Sequence, residues 1–350
     1  MNLRIGIIGL PNAGKSTLFN ALVTKPKAGV AAHPFTTIDK NIGVVEISDD
    51  TLFQLAKIEN IDKVTPATIT FVDIAGLIKG AHKGEGLGNQ FLHHIREVDL
   101  ILHVVRFFTN ESIPHVHAKI DPEDDLAIVN EELLLADLQT LGKRLESEKI
   151  LAEERAILRI IIDKLNQGIS ASEIKLADKE MIYAKSLNLL TLKKQLLVAN
   201  IDEDEIIQPA KKIAGSEVLS ISAKFESDLN EYKWVEQQKI LKDLGLKKTA
   251  KEQVIKAAYQ SLDTITFYTI AKKKEARAWL LPRNSSALQA SGKIHTDFAK
   301  HFVKAEQISA EELIKIGSWS QAHHLGKIIL HGKDYQVQNG DVLEFKVALK

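Results

Sequence analysis

Residues 9–16 of the chain read GLPNAGKS and match the pattern G-x-x-x-x-G-K-[ST] at every fixed position. Glycines let the backbone approach a ligand closely, and a lysine followed by a serine can meet phosphate oxygens and a metal ion. The pattern therefore predicts a nucleoside triphosphate site, with Lys15 at the β- and γ-phosphates and Ser16 on Mg²⁺. The other residues predicted to touch the nucleotide here are Asn12, Ala13, Gly14 and Thr17.

The flanking residues have the periodicity that such a phosphate loop needs. Residues 3–8, LRIGII, form a short apolar run typical of a buried strand. Residues 17–23 carry apolar side chains at 18, 19, 22 and 23, which is helical spacing. A strand, a glycine loop and a helix N-terminus together form an anion site, because the backbone N–H groups and the helix dipole favour negative charge.

Two later segments could complete the Mg²⁺ and γ-phosphate contacts. Thr36 and Thr37 lie in a polar loop between the first helix and the next strand, and Thr37 is the preferred metal ligand. Residues 67–76 form a β-branched strand that ends in D-x-x-G. In that position Asp73 can hold Mg²⁺ through water, and the N–H of Gly76 can reach the γ-phosphate.

The position after Gly76, where many GTPases carry a glutamine that orients the attacking water, is Leu77. Leucine cannot hydrogen-bond to water, so hydrolysis needs another group, a partner, or a slow uncatalysed route. The candidate substitutes are His82, His93, His94, His103 and His115, although each is more often a surface or packing residue. His115 is the first choice because it follows an apolar strand at 100–105.

Residues 200–203 and 222–224 are the candidates for recognising the base. GTPases carry N-K-x-D after such a strand, and the aspartate accepts from the ring N–H and the amino group of guanine. Here the motif reads Asn200, Ile201, Asp202 and Glu203, so the lysine is absent and the carboxylate is one methylene longer. This departure predicts ATP over GTP, with Asp202 facing elsewhere. Further along, Ser222, Ala223 and Lys224 follow another short strand and are predicted to lie beneath the base.

Composition excludes several classes of function. The chain has 350 residues and no cysteine, so disulfides, thiolate metal sites and cysteine nucleophiles are absent. No apolar run approaches the ~18 residues of a membrane span, and we expect a cytoplasmic protein without a signal peptide.

The formal net charge is zero, but residues 264–350 hold 13 Lys and Arg against 8 Asp and Glu. This excess fits either contact with RNA or an ordinary solvated surface.

The remaining patterns predict three domains in an α/β chain. Residues 1–121 and 195–262 form the nucleotide domain with a mainly parallel sheet and a helical connector. Residues 122–194 form an inserted antiparallel helical hairpin: one long helix to about 165, then a helix capped by Ser170 and Glu173 that returns to about 190. Residues 264–348 form a small α+β domain with a helix near 290–302 and a final hairpin over 335–347 around Asn339 and Gly340.

The chain resembles the YchF, or Obg-like ATPase, family of P-loop proteins over nearly its whole length. The motifs are residues 9–16, 34–38 (PFTTI), 73–81 (DIAGLIKGA), 84–92 (GEGLGNQFL), 200–203 (NIDE) and 290–298 (ASGKIHTDF). The resemblance implies ATP preference, slow intrinsic hydrolysis, a coiled-coil insert and a C-terminal TGS domain of β-grasp fold. It also implies that Ile201 lines the base site, that Ser16 and Thr37 bind Mg²⁺, and that His115 takes part in hydrolysis. Lys40 and Ser291 depart from the usual family residues.

Ribosomes, with their rRNA or with tRNA-bearing translation complexes, are the partners that this resemblance implies, and we expect a monomer. Two other functions remain open. The first is a GTPase of ribosome assembly with a degenerate base motif. The second is a nucleotide-independent RNA or ribosome adaptor in which the phosphate loop is structural.

Overall fold

The computed structural model describes residues 3–24, 42–74, 87–116, 119–208, 211–271 and 274–348. Its strands are β1 (Leu3–Ile8), β2 (Ile42–Glu46), β3 (Val64–Thr65), β4 (Thr68–Asp73), β5 (Leu100–Arg106), β6 (Lys194–Asn200), β7 (Lys212–Ile213), β8 (Ser216–Glu217), β9 (Leu219–Ile221), β10 (Thr264–Ala271), β11 (Glu275–Pro282), β12 (Phe302–Ser309), β13 (Ile329–His331) and β14 (Asp341–Val347). Its helices are α1 (Lys15–Val23), α2 (Asp50–Glu59), α3 (Leu87–Arg96), α4 (Pro122–Leu145), α5 (Ala152–Asn166), α6 (Asp178–Ser186), α7 (Ala223–Leu229), α8 (Trp234–Asp243), α9 (Ala250–Leu262), α10 (Ala287–Ile294), α11 (Thr296–Lys300), α12 (Ala310–Ile316) and α13 (Trp319–His324). In the part of the chain that the structure describes, none of these helices has the length and apolar character needed to cross a bilayer.

The chain divides into two compact units, residues 4–44 with 70–258, and residues 1–3 with 45–69 and 259–350. In the first of these lies a six-stranded sheet of order β2-β4-β1-β5-β6-β9, in which β1 with β5, β5 with β6, and β6 with β9 pair in parallel. The register sets Arg106 beside Asn200 and Asn200 beside Ile221. The carboxyl ends of these strands therefore meet at one edge, where ligands of such sheets bind.

The helical region of this unit differs from the predicted hairpin. The expected long helix is two helices, α4 and α5, because the chain leaves the helical path between Leu145 and Ala152. The capping bond from Ser170 N to Glu173 is confirmed, at 3.0 Å, but it closes a short 3-10 turn over Ala171–Glu173. The predicted helix to residue 190 is wrong: α6 starts only at Asp178, where the backbone N–H of Ala177 donates to Glu180.

A buried carboxylate joins α4 to the chain that leads into β6. Asp137 is fully buried and accepts from the backbone N–H of Leu190 at 2.9 Å and of Thr191 at 2.8 Å. It also accepts from the hydroxyl of Thr191 at 2.8 Å. Burial raises the pKa of Asp137, and these three bonds oppose that shift. The carboxylate therefore replaces the solvent that its three donors would otherwise contact.

A second buried carboxyl makes the stability of this unit depend on pH. Glu226 in α7 accepts from the backbone N–H of Ala250 at 2.6 Å, and burial raises its pKa from 4.5 to about 7. A raised carboxyl pKa means that the folded chain binds more protons than the unfolded chain between these values. The stability gained from holding Glu226 protonated in the folded chain is therefore fully present below about pH 4.5. It is lost as the pH rises through 7, where the buried carboxyl must ionise.

We expect Glu226→Gln to remove this pH dependence while keeping an acceptor for Ala250. At pH 8 the variant should exceed the wild type in unfolding free energy by roughly 1–3 kcal/mol, and the difference should shrink towards pH 5. Urea denaturation from pH 5 to 8 measures it, with exposed Glu148→Gln as the matched control. A constant difference across this range would contradict the buried-charge explanation.

The second unit contains a mixed six-stranded sheet of order β13-β12-β14-β10-β11-β3. Strand β10 pairs antiparallel with β11 and parallel with β14, and β12 lies antiparallel to both β13 and β14. Its core includes Ile265, Phe267, Leu281, Ala290, Val337 and Leu343. This is an α+β arrangement, as the sequence predicted for residues 264–348.

Residues 45–69 belong to this second unit, although they lie within the predicted nucleotide domain of residues 1–121 and 195–262. Strand β3 pairs in parallel with β11. Asp49 caps α2 through Leu52 N at 3.1 Å and accepts from the Tyr268 hydroxyl at 2.9 Å. Glu59 accepts from the backbone N–H at the start of α13. Backbone pairing and two carboxylates thus hold this segment to residues 259–350.

Two details of the predicted C-terminal domain are wrong. The single helix over 290–302 is two helices, because His295 is extended, with φ −158° and ψ 140°, and Phe302 begins β12. The hairpin around Asn339 and Gly340 is absent from the described residues, since β14 pairs with β12 and β10. Asn339 Oδ1 instead accepts from Thr266 N at 2.9 Å, so the turn is held by β10.

Candidate functional site

The loop of residues 9–16 has a backbone that only glycine fits at two positions. Gly9 has φ 148° and Gly14 has φ 90°, both in the region that side chains disfavour. A Cβ on Gly9 would lie 2.3 Å from the carbonyl oxygen of Val104, and one on Gly14 would lie 2.1 Å from Nδ2 of Asn200. The tight contact with β5 and β6 therefore explains both glycines.

The lysine of the loop is held at the first turn of α1. Lys15 is buried, and its ammonium donates to the carbonyl of Leu10 at 2.7 Å. Burial lowers the pKa of Lys15 to about 8, while the nearby charge of Asp73 opposes the shift. Lys15 is thus a poorly hydrated cation at a helix N-terminus, where an anionic oxygen would stabilise it most.

Most of the predicted nucleotide-binding residues surround one cavity of about 460 Å³. From the predicted set it is lined by Asn12, Gly14, Lys15, Ser16, Thr17, Asn200, Ile201, Glu203, Ser222, Ala223 and Lys224. Ala13 is buried beside it and contributes its carbonyl to a hydrogen bond from Asn200. Loops that are almost two hundred residues apart in the chain therefore form one concave surface.

Asn200 connects the two halves of this cavity. Its Nδ2 donates to the carbonyl of Ala13 at 3.0 Å, and its Oδ1 accepts from the backbone N–H of Ala223 at 3.0 Å. Ser222 caps α7 by accepting from Phe225 N at 3.3 Å. Since Asn200 is buried at the end of β6, it fixes the spacing between the phosphate loop and the loop of residues 222–224.

The base side of the cavity is apolar at its floor and charged at its rim. Ile201 is buried, whereas Glu203 is exposed, with its carboxylate 3.8 Å from the ammonium of Lys224. Asp202 accepts from the backbone N–H and the hydroxyl of Thr109, at 2.8 and 3.0 Å. It also lines the cavity, so the prediction that it faces elsewhere is wrong. Asp202, Glu203 and Lys224 are therefore the charged residues of the lining on the side of Ile201.

Sequence reasoning missed the third wall, which is the loop after β5. Phe108, Asn110 and Ile113 line the cavity. Arg106, which is buried, holds this loop by donating to several of its carbonyls and lies 4.3 Å from the centre of the Phe108 ring. The signal was present, because the loop follows a parallel strand that lies between two strands already assigned to binding.

The donors for a divalent cation are only partly within the described residues. Asp73 ends β4, and its Oδ1 is buried without a hydrogen-bond partner there. A carboxylate oxygen in that state suits a hard cation with oxygen ligands, and Ser16 offers a hydroxyl in the cavity. The chemistry of these donors fits Mg²⁺. Thr36, Thr37 and Gly76 lie outside the described residues.

The candidate histidines have different surroundings, and His115 follows a residue that contacts the phosphate loop. Its side chain is 5% exposed, with Nε2 3.0 Å from Oδ2 of Asp125. The preceding residue, Pro114, accepts from Nδ2 of Asn12 at 3.0 Å. His115 itself is absent from the cavity lining. His103 is buried in β5, and burial lowers its pKa to about 4, so its imidazole is neutral at pH 7.

The other histidines do not enter the described cavity. His93 and His94 lie exposed on α3, where Nδ1 of His93 is 3.8 Å from the Glu97 carboxylate. His82 and Leu77 lie outside the described residues. The structure therefore does not identify the group that orients the attacking water, and the role of His115 stays a prediction.

Comparison with protein families gives two matches. Residues 264–348 match YchF-GTPase_C, described as "Protein of unknown function", and residues 4–136 match MMR_HSR1, described as "50S ribosome-binding GTPase". The first range is that of the predicted C-terminal domain, and the second covers most of residues 1–121 and extends into the predicted helical insert.

Relatives that match along their full length also carry the name YchF. The chain is 42% identical to a Bacillus subtilis protein and 42% identical to an Escherichia coli O157:H7 protein, both named "Ribosome-binding ATPase YchF", with 99% of each chain covered. It also matches the solved "Structure of the Schizosaccharomyces pombe YchF GTPase" with a TM-score of 0.84 and 32% identity, over 99% of this chain and 98% of that one. With identity of this level along the full length, on a fold with the phosphate loop described above, the chain belongs to the YchF family.

Proposed function

We propose that this chain is a Mg²⁺-dependent ATPase that works as a switch on the ribosome. The single observation that carries the nucleotide assignment is the cavity that joins the phosphate loop, Asn200 and the loop of residues 222–224. The Bacillus subtilis and Escherichia coli relatives are named ribosome-binding ATPases, which supports both halves of the proposal.

The base side favours adenine for a physical reason. Guanine presents a ring N–H and an amino group side by side, and the N-K-x-D aspartate accepts from both. Here the carboxylate belongs to Glu203, which is exposed and 3.8 Å from Lys224 Nζ, so its oxygens already have a cation. Buried Ile201 offers an apolar surface without a charge. Adenine lacks the ring N–H and loses nothing at such a site.

GTP is the second candidate nucleotide, because the Schizosaccharomyces pombe title and the description of the family matching residues 4–136 both say GTPase. Under this alternative, Glu203 would separate from Lys224 and accept from guanine. The two readings predict opposite orders of affinity, and one titration distinguishes them.

The proposed roles in hydrolysis follow from what each group can do. Lys15 holds the β- and γ-phosphates, and Ser16, Thr37 and Asp73 hold Mg²⁺ directly or through water. When bound, Mg²⁺ neutralises charge on the phosphate oxygens. The N–H of Gly76 contacts the γ-phosphate. We assign His115 to the attacking water, which requires its imidazole to turn away from Asp125.

The predicted domains suggest which part of the chain binds nucleotide and which part contacts the ribosome. We propose that residues 1–121 and 195–262 bind nucleotide, that residues 122–194 form the helical insert, and that residues 264–348 form a TGS domain of β-grasp type. The five-charge excess of Lys and Arg over residues 264–350 suits an RNA-rich partner such as the ribosome in the cytoplasm.

Competition between fluorescent ATP and GTP analogues, with Mg²⁺ present, tests the nucleotide proposal. We expect ATP to bind more tightly than GTP. Glu203→Asp combined with Ile201→Lys should move the ratio of the two Kd values towards GTP by at least about tenfold, because it restores the guanine acceptor and its supporting lysine.

Glu203→Asp alone is the matched control, since it shortens the carboxylate without placing a charge at buried residue 201. Circular dichroism and retained ATP binding show that the double variant is folded. Tighter GTP binding by the wild type would overturn the ATP assignment. An unchanged ratio in a folded double variant would overturn the account of base selection.

A further inference from the structure

A second concave surface lies on the helical part of residues 122–194, formed by the last turns of α4 and α6. We call it the α4–α6 groove, and it has a volume of about 460 Å³. It is lined by Thr140, Leu141, Lys143, Arg144, Ser147, Tyr183, Ser186 and Leu187. Its lining shares no residue with the nucleotide cavity.

The lining of this groove is positively charged. Lys143 and Arg144 are both exposed, and no carboxylate is among the lining residues. Within the described parts of the chain, neither cation forms a salt bridge, whereas many other surface lysines do, such as Lys315 with Glu311 at 2.6 Å. Two cations on a surface whose lining holds no carboxylate attract an anion to that surface.

The end of α4 offers a simpler explanation for these cations, because a helix C-terminus carries partial negative charge. Arg155, which is not part of the groove lining, already neutralises that partial charge. Its guanidinium donates to the carbonyls of Leu145 at 3.0 Å and Ser147 at 3.4 Å. Arg96 adds positive charge at Thr140, to whose hydroxyl it donates at 2.8 Å. The end of α4 therefore has two cations near it besides Lys143 and Arg144.

The groove also offers a hydroxyl donor. Ser147 lines the groove, whereas the hydroxyl of Tyr183 is buried beneath it and is not accessible to a ligand. The Ser186 hydroxyl is used locally, since it donates to the Tyr183 carbonyl at 2.6 Å. Guanidinium, ammonium and hydroxyl groups on one concave surface are the donors that phosphate oxygens accept from best.

We propose that the α4–α6 groove binds a phosphate group. Lys143 and Arg144 neutralise its charge, and the hydroxyl of Ser147 donates to its oxygens. The volume is within the range of small-molecule sites, so the phosphate is carried either by a small molecule or by the backbone of an RNA strand. This site is separate from the proposed ATPase site and does not depend on the identity of its nucleotide.

Pyrophosphate is the probe, and the Lys15→Ala protein is the background, so that the phosphate loop does not contribute. Calorimetry should detect binding of pyrophosphate to this protein. Adding Lys143→Glu and Arg144→Glu should raise the Kd by roughly 10- to 100-fold, because two attractive charges become repulsive. Adding Arg159→Glu, an exposed change on α5 of the same helical region, is the charge control and should leave the Kd within about twofold.

A local signal separates this site from weak surface binding. The chain has 5 tyrosines, so labelling with 3-fluorotyrosine gives few ¹⁹F resonances, and Tyr183→Phe assigns the one from the groove. Pyrophosphate should shift that resonance in the Lys15→Ala protein, with a half-point equal to the calorimetric Kd. A 20-nucleotide RNA that competes for the same shift would identify RNA as the source, and failure to compete would identify a small phosphorylated molecule.

Three results would overturn the proposal. The Lys15→Ala protein could fail to bind pyrophosphate at millimolar concentration. The Kd could be the same with Lys143 and Arg144 reversed, in a protein whose circular dichroism is unchanged. Binding could also proceed without any shift of the Tyr183 resonance.

Discussion

Replacing Lys15 by alanine should weaken ATP binding by about 100-fold or more. The ammonium is buried at the start of α1, and a buried hydrogen-bonded charge that loses its partner costs about 2–5 kcal/mol. The variant leaves the γ- and β-phosphates with backbone N–H groups alone. Titration of a fluorescent ATP analogue with Mg²⁺ measures the Kd for both proteins.

Lys224→Ala is the matched control, because Lys224 lines the same cavity but is exposed and already paired with Glu203 and Asp228. Exposed ion pairs contribute little, so we expect a change below about fivefold. Wild-type affinity in a folded Lys15→Ala protein would contradict the phosphate-loop assignment. It would then favour the adaptor function, in which that loop is structural and ribosome binding does not need nucleotide.

Replacing Asp137 by alanine should lower the free energy of unfolding of its unit by about 3–5 kcal/mol. The change removes the acceptor of two backbone N–H groups and one hydroxyl, all of them buried. Water cannot reach them at Leu190 and Thr191 without opening the packing between α4 and Leu190. Urea denaturation followed by far-UV circular dichroism measures the loss.

Asp137→Asn is the control for charge. It keeps the size of the side chain and one acceptor oxygen, but turns an NH₂ group towards a donor, so we expect an intermediate loss. Glu148→Ala, on an exposed side chain nearby, should change stability by less than about 0.5 kcal/mol. A loss under about 1 kcal/mol for Asp137→Ala would mean that its three bonds are replaced by solvent.

The nucleotide cavity could be predicted from the sequence because its signals are local. Gly9 and Gly14 mark positions with a positive φ, and Lys15 and Ser16 follow them at fixed spacing. Each binding loop also comes directly after an apolar strand. Parallel pairing then brings the loops together, as the register between Arg106, Asn200 and Ile221 shows. What the sequence could not give was the exposure of Glu203, whereas the wall formed by Phe108 was missed although its place after β5 indicated it.

The helical region and the C-terminal domain were predicted less well because their boundaries depend on distant contacts. The heptad spacing of leucines continues through residue 145, yet the chain breaks there and Arg155 bonds to its last carbonyls. Asn339 and Gly340 have the composition of a hairpin turn, but Thr266 holds that turn from another strand. Local propensity cannot distinguish these cases from the ones predicted.

Because residues 45–69 pair with β11 and supply Asp49 and Glu59 to residues 259–350, the C-terminal unit is not built from one continuous stretch of chain. A fragment of residues 264–348 would expose the β11 edge and leave Tyr268 without its carboxylate. No single peptide bond separates this unit as an independent module. A fragment that keeps all of these contacts therefore has to include residues 45–69 together with residues 259–350.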